Sequence, residues 1–295
     1  MHIEAPGFSA TVQDAGRFAH LRAGVPTAGP ADPFAFRAAQ ALAGNTAADA
    51  AIEVVGLPFS FHCDDSRIIA VTGRDVTVEI RDRVPAWGSV FARGGLLVRV
   101  SGTARTRYAY VAVSGGLATT PALGSRATYP RAGLGRTIRA GDVLPLGAPT
   151  RGAEDAGRAL AFDYEDRVAV VIGPHADRFD GATVKRFLAA SFSVSAQSDR
   201  QGVRLDGPPV APKAGELLTC GVVAGAIQVP RGGQPIVLLA DHQTTGGYPV
   251  IATVTAADIG RVAQRAPGEA LRFYRVERDD ALARDRELRR VLASA

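Results

Sequence analysis

Short apolar runs broken by Gly, Pro and Asp recur along most of this chain. In the first half they are Arg67–Thr72, Val76–Ile80, Leu96–Val100 and Tyr108–Val113; in the second, Val168–Ile172, Ala226–Val229 and Ile236–Ala240. Runs of this length, rich in Val and Ile and bounded by turn formers, predict strands. Helical patterns are few. Pro33–Leu42 is Ala-rich and follows Asp32, a residue suited to cap a helix N-terminus; Ala256–Arg265 and Asp280–Ala293 are the others. Many short strands with few helices predict a mainly β fold of barrel or sandwich type.

An internal echo refines this expectation. Gly88-Ser-Val-Phe-Ala-Arg-Gly94 resembles Cys220-Gly-Val-Val-Ala-Gly225, and the pairs Gly115-Gly116 and Gly246-Gly247 keep the same offset of 131 residues (225 − 94 and 246 − 115). Arg67–Gly73 likewise echoes Arg167–Gly173. The common order predicts two related β domains, residues 1–155 and 156–295. The polar stretch Gly147–Asp166 would join them, and each Gly-Gly turn would let backbone approach something closely.

Composition removes several classes of function. At 295 residues, with 46% hydrophobic and 21% charged residues, the chain can bury a sizeable core unaided. The net charge of +5 raises nucleic acid as a partner, but only Lys185 and Lys213 are lysines and the arginines are dispersed. No basic stripe interleaved with aromatics is present, so nucleic-acid binding is not expected. The beginning lacks a basic region followed by an apolar run, and no segment is apolar enough to span a bilayer, so a cytoplasmic protein is expected. Cys63 and Cys220 form no CxxC pair and read as structural thiols.

Familiar catalytic signatures are also missing. There is no Walker-type phosphate loop, no complete dinucleotide fingerprint, no HExxH and no G-x-S-x-G elbow. The five histidines are scattered, and no metal site is read from the sequence. Met1 is the only methionine, so the Met-Lys-Met to which biotin is attached is absent.

Three polar constellations remain. Gln13, Asp14 and Arg17, with Asp32 downstream, form a candidate first-half site in which Asp14 and Arg17 are suited to pair across a turn. Arg200 and Arg204, four apart around a Gly turn, are suited to grip a carboxylate or phosphate. The third follows the apolar strand Ile236–Ala240: Asp241-His242-Gln243-Thr244-Thr245-Gly246-Gly247-Tyr248, with Gln228 upstream. Asp and His at a strand end suit acid/base work, and the Thr hydroxyls and Gly amides suit an anion or a developing oxyanion. Asp241, His242, Thr244 and Thr245 are therefore the catalytic candidates. Arg200, Arg204, Gln228, Gln243, Gly246, Gly247 and Tyr248 are the substrate-binding candidates.

These motifs, together with Gly44-Asn45, Ile52-Glu53, Gly124-Ser125-Arg126 and Gly225-Ala-Ile-Gln-Val-Pro230, resemble the family of the 5-oxoprolinase C subunit. That family is also called KipA-like, allophanate hydrolase subunit 2-like or biotin-dependent carboxyltransferase. The resemblance covers nearly the whole chain, with departures at Ala19, Gln40, Gln201 and Val203. It implies two tandem cyclophilin-like β-barrel domains with a few helices. It also implies a role in an ATP-dependent complex that opens 5-oxo-L-proline to L-glutamate. The partners in that complex would be a KipI-like B component and a LamB/YcsF-like A component. ATP would be used by the complex, and biotin would not be attached to this chain. Two alternatives stay open under the same resemblance: the carboxyltransferase component of a biotin-dependent, urea carboxylase-like system, and a non-catalytic regulatory partner of a KipI-like protein.

Overall fold

The structure, a computed structural model, describes residues 1–294. The chain divides into two compact units. The first holds Met1–Phe18, Ala28–Asp163 and the chain end from Arg290; the second holds Ala19–Thr27 and Tyr164–Arg289.

The first unit contains β1 (His2–Pro6), β2 (Ser9–Gln13), α1 (Pro33–Leu42), β3 (Ala51–Val55), β4 (Phe59–His62) and β5 (Arg67–Gly73). It continues with β6 (Thr77–Ile80), β7 (Asp82–Val84), β8 (Ser89–Ala92), β9 (Val98–Ser101) and β10 (Tyr108–Val113). These strands form two five-stranded sheets, ordered β1-β4-β9-β6-β7 and β2-β3-β10-β5-β8. The first sheet alternates: Phe59 and Phe61 on β4, and Val98 and Val100 on β9, are buried while their neighbours are less so. Those side chains share one core with Ile69, Val71, Ala109, Val111 and Val113 of the second sheet.

Strands β5 and β10 are buried at every position because α1 covers their other face. There Phe36 packs edge-on against Tyr110, and Thr72 Oγ1 donates to the Ala35 carbonyl at 2.7 Å. Helix α1 begins where the sequence predicts. Asp32 Oδ1 accepts the backbone N–H groups of Phe34 and Ala35 at 3.2 and 3.1 Å, and Pro33 occupies the first turn.

The second unit contains β11 (Arg167–Ile172), α2 (Gly181–Ala189), β12 (Ser191–Val194), β13 (Gly202–Asp206), β14 (Cys220–Gly221) and β15 (Ala226–Gln228). After these come β16 (Ile236–Leu238), β17 (Thr245–Gly246), β18 (Val250–Val254), α3 (Ile259–Ala263), β19 (Ala270–Arg275) and α4 (Arg278–Ala293). Seven strands close into a barrel, ordered β11-β18-β15-β16-β13-β12-β19, sealed by the parallel pair β19 and β11. Closure removes free strand edges. Helix α2 packs on β19, with Phe187 and Phe273 rings 4.9 Å apart. Buried Asp258 is held by Arg261 and Arg284 and accepts the Ala169 N–H, which fastens α4 to the barrel. Among the described residues the chain is thus mainly β with four α-helices and one closed barrel; the strands of the first unit fall into two sheets.

The internal echo does not carry through to strand pairing. At the 131-residue offset β10 falls on residues 239–244, past the end of β16, and the neighbours differ too: β10 lies between β3 and β5, whereas β16 lies between β13 and β15, not beside β11. Gly115 and Gly116 sit at φ of 91° and 63° in a turn, and a Cβ on Gly115 would strike the Ala148 carbonyl. Gly246, by contrast, belongs to β17 and pairs with Cys220. The Gly-Gly match reflects the abundance of glycine, 33 residues, rather than equivalent turns.

The polar stretch from Gly147 packs first against the turn at Ser114–Gly116 and then, over residues 157–160, against the start of β8. Ser89 N donates to the Arg158 carbonyl, Leu160 N donates to Trp87, and Arg67 Nη1 reaches the Gly147 carbonyl. Several of its backbone groups bond the first unit's strands and turns despite the absence of apolar periodicity. Among the described residues no helix is long and apolar enough to cross a membrane.

Candidate functional site

The pairing of β13 with β16 brings two of the polar constellations together. The ladder runs past the ends of both strands: Leu239 N donates to the Gln201 carbonyl and Asp241 N to the Arg200 carbonyl, each at 2.9 Å. In that register Arg200 meets Asp241 side on, Nε to Oδ2 at 2.9 Å and Nη2 to Oδ1 at 3.0 Å. Both side chains are largely buried, 19% and 10% exposed. A planar fork facing a carboxylate with two parallel bonds fixes orientation as well as charge. Arg200, expected as a clamp for an anion, therefore gives two donors to Asp241. Arg204, expected beside it, projects from β13 into solvent.

Beyond Asp241 the chain turns, with His242 N donating to the Leu239 carbonyl. His242 is 4% exposed, and its Nδ1 lies 2.6 Å from the Gln243 carbonyl. Burial pushes its pKa below the usual histidine range, while the bond to Gln243 and the Asp241 charge act in the opposite sense. Gln243 Nε2 donates to Oε1 of Gln228, which is 2% exposed, at 3.0 Å. The other end of Gln228 is unspent: its buried Nε2 has no partner and points at Gly246, where a Cβ would collide with it. Thr245 and Gly246 pair with Gly221 and Cys220 in a two-stranded ribbon, and the Thr244 carbonyl accepts from Val222 N. Among the described residues the Thr244 and Thr245 hydroxyls have no protein partner. Two free hydroxyl donors therefore stand on one ribbon beside an unpaired amide donor.

The same segment then forms one wall of a cleft of about 830 Å³ within the second unit. Gly247, Tyr248 and Pro249 line that wall, the loop Pro212–Leu217 a second, and the turn Pro230–Gly232 a third. This volume is within the range of small-molecule sites. Two cations reach it. Lys213 Nζ is tied to the Asp177 carbonyl at 2.7 Å, whereas the exposed Arg231 guanidinium has no protein partner among the described residues. Lys213 and Arg231 were not legible as site residues, because they lie in Pro- and Gly-rich loops without a distinguishing pattern. The only hint was the Pro-Arg-Gly-Gly turn directly after the strand that carries Gln228.

The first-half candidates hold the first unit together. Asp14 accepts Gly16 N, Ser125 Oγ and Arg126 N at 2.9, 2.6 and 2.6 Å. Arg17, 1% exposed, donates to the carbonyls of Ala122 and Ala127 at 3.0 and 2.8 Å instead of bonding Asp14. Burial lowers its pKa, and the Asp14 charge opposes that shift. The expected Asp14–Arg17 bond is replaced by two separate clasps on the 122–127 segment. Gln13 donates to Thr11 and Thr128, and Asp32 caps α1. Gln13 Oε1 and Arg17 Nη1 are buried without partners.

Comparison with known proteins identifies the family. The profile of the carboxyltransferase domain, subdomain A and B, matches residues 23–275. The chain is 32% identical over 288 residues to the 5-oxoprolinase C subunit of Escherichia coli, covering 96% of this chain and 93% of that protein. It is 29% identical to urea amidolyase of Saccharomyces cerevisiae over 92% of this chain, but spans only 16% of that protein. Among solved structures, the Kluyveromyces lactis urea carboxylase superposes with a TM-score of 0.84 at 26% identity, over 98% of this chain and 29% of that one. With a profile that spans most of its length and a relative matched nearly end to end, the chain belongs to the carboxyltransferase domain family, subdomain A and B, that includes these oxoprolinase C subunits.

Proposed function

We propose that this chain is the C subunit of an ATP-dependent 5-oxoprolinase, working with a KipI-like B component and a LamB/YcsF-like A component to open 5-oxo-L-proline to L-glutamate. The near end-to-end likeness to an oxoprolinase C subunit supports the reaction class. The observation that carries the site is the free donor set on the Thr244–Tyr248 ribbon, which ends in a cleft holding an unpaired arginine. 5-Oxoproline offers two groups to such a site, a carboxylate and a lactam carbonyl. Arg231 takes the carboxylate through charge-assisted bonds. The Thr244 and Thr245 hydroxyls, with the Gly247 backbone, donate to the carbonyl oxygen as negative charge builds on it. The Arg200–Asp241 pair holds the start of the ribbon in place and is a positioning element. ATP supplies the driving force for opening an unstrained amide.

The experiment is reconstitution. Chain alone should release no glutamate from 5-oxoproline, and the three-component mixture should release glutamate in step with ADP. Turnover by the isolated chain, or an inert ATP-supplied complex, overturns the proposal. A second reading, carboxyl transfer to a urea-like amide from a separately supplied carboxybiotin carrier, is favoured by the match to the carboxyltransferase profile and to the urea carboxylase structure. It predicts carboxylation of urea where the first predicts glutamate.

A further inference from the structure

Strands β1 and β4 pair antiparallel with His2 directly opposite His62. Alternation along both strands sends Ile3, Phe61 and Cys63 into the core and leaves His2, His62 and Asp64 on the outer face. The two imidazoles stack face to face, centroids 4.7 Å apart and planes within 1°. His2 Nε2 lies 2.8 Å from Asp64 Oδ1, and Glu4 Oε1 lies 3.2 Å from His62 Nδ1. One nitrogen from each ring and one Asp64 oxygen all fall within 4.8 Å of one another.

From this we infer that His2, His62 and Asp64 form a binding site for a borderline divalent transition-metal ion such as Zn²⁺, on the outer face of the first unit. Two imidazoles and a carboxylate are a ligand set that suits such ions, with a water completing a tetrahedron. Bonds of roughly 2.0–2.1 Å would put tetrahedral ligand atoms ~3.3 Å apart. The contact between His2 and Asp64 needs to open by about half an ångström to reach that spacing. The ion would replace the hydrogen bond between them, and one of the two parallel imidazoles would turn to aim its in-plane lone pair at the ion. Glu4 supplies the outer carboxylate: with Nδ1–H of His62 given to Glu4, Nε2 carries the lone pair a metal requires. All three ligands are accessible, with side-chain exposures of 34%, 29% and 73% for His2, His62 and Asp64, so an ion can enter without unfolding. Bound there, it would cross-link β1 to β4. It would act as a staple for the first strand.

The test is titration of untagged full-length protein with Zn²⁺, and with Co²⁺ as a spectroscopic probe, followed by thermal unfolding. We expect one ion per chain, tetrahedral Co²⁺ absorption, and a rise of several degrees in Tm at about 100 times the Kd. Glu4→Gln should weaken binding by roughly 10- to 100-fold, the range for losing an outer-shell partner, and His62→Ala, which removes a ligand, by more. Asp64→Asn, at an exposed position that leaves the core untouched, should abolish the Tm rise while keeping the metal-free Tm. No stoichiometric binding, or binding and Tm shift unchanged in Asp64→Asn, overturns the inference. So does binding that moves with His20, His175 or His242 instead.

Discussion

Arg200 and Asp241 are 41 residues apart and form a two-bond ion pair, reinforced by a backbone bond from Asp241 N to the Arg200 carbonyl. The pair joins the end of one barrel strand to the start of the polar ribbon. Removing one partner strands the other as a largely buried charge. Asp241→Asn or Arg200→Met should each cost on the order of 3 kcal/mol, the lower end for breaking such a pair, because the arginine keeps some solvent. The double substitution should recover part of that loss. A double-mutant cycle by denaturant unfolding measures it, and strictly additive losses would show that the pair is not coupled.

Thr245 is exposed on β17, and its hydroxyl has no protein partner among the described residues. Thr245→Val keeps the volume and the β-branch, so Tm should move by no more than about 2 °C, as for other surface changes. If the hydroxyl donates to a developing oxyanion, turnover of the reconstituted complex should fall by roughly 100-fold. Full turnover in a well-folded variant removes Thr245 from the site.

Arg231 lines the cleft with an unspent guanidinium. If it holds the substrate carboxylate equally in ground and transition states, Arg231→Ala should raise KM by roughly 10- to 100-fold at nearly constant kcat. A fall confined to kcat would assign it to the chemical step.

Gly246 faces the buried Nε2 of Gln228 with no room for a Cβ. Gly246→Ala should therefore destabilise by about 1–3 kcal/mol, the usual cost of overpacking. Gln228→Ala in the same chain should relieve most of the clash. Comparing the melting temperatures of single and double variants decides this; an innocuous Gly246→Ala would mean that the amide simply moves aside.

His242 is buried with its pKa pushed down. The unfolded chain then binds more protons than the folded one below the unperturbed histidine value of about 6.5, so stability is retained above that pH and lost as pH falls toward the folded value. His242→Gln should flatten the slope of Tm against pH between about 7 and 5. An unchanged slope would show that another group carries the acid sensitivity.

Much of the local structure was legible in the chain itself. The predicted run Tyr108–Val113 is β10, Pro33–Leu42 is α1, and Asp32 caps it. Side-chain alternation and capping act over a few residues, so their signals are printed in neighbouring positions. The 131-residue echo misled for the opposite reason: glycines recur wherever turns do, and their spacing says nothing about which strands pair.

The sequence alone determined the mainly β character, the motif from Asp241 to Tyr248 and the family. Tertiary structure decided what each polar group does. Asp14 and Arg17, three residues apart, share no hydrogen bond because closer partners arrive from residues 122–127, whereas Arg200 and Asp241 are joined by the β13–β16 register. His2 and His62 are 60 positions apart (62 − 2) and meet only because β1 pairs with β4. Hydrogen bonds and ion pairs depend on distances of a few ångströms, and between strands remote in sequence those distances are set by pairing register, which no local pattern encodes.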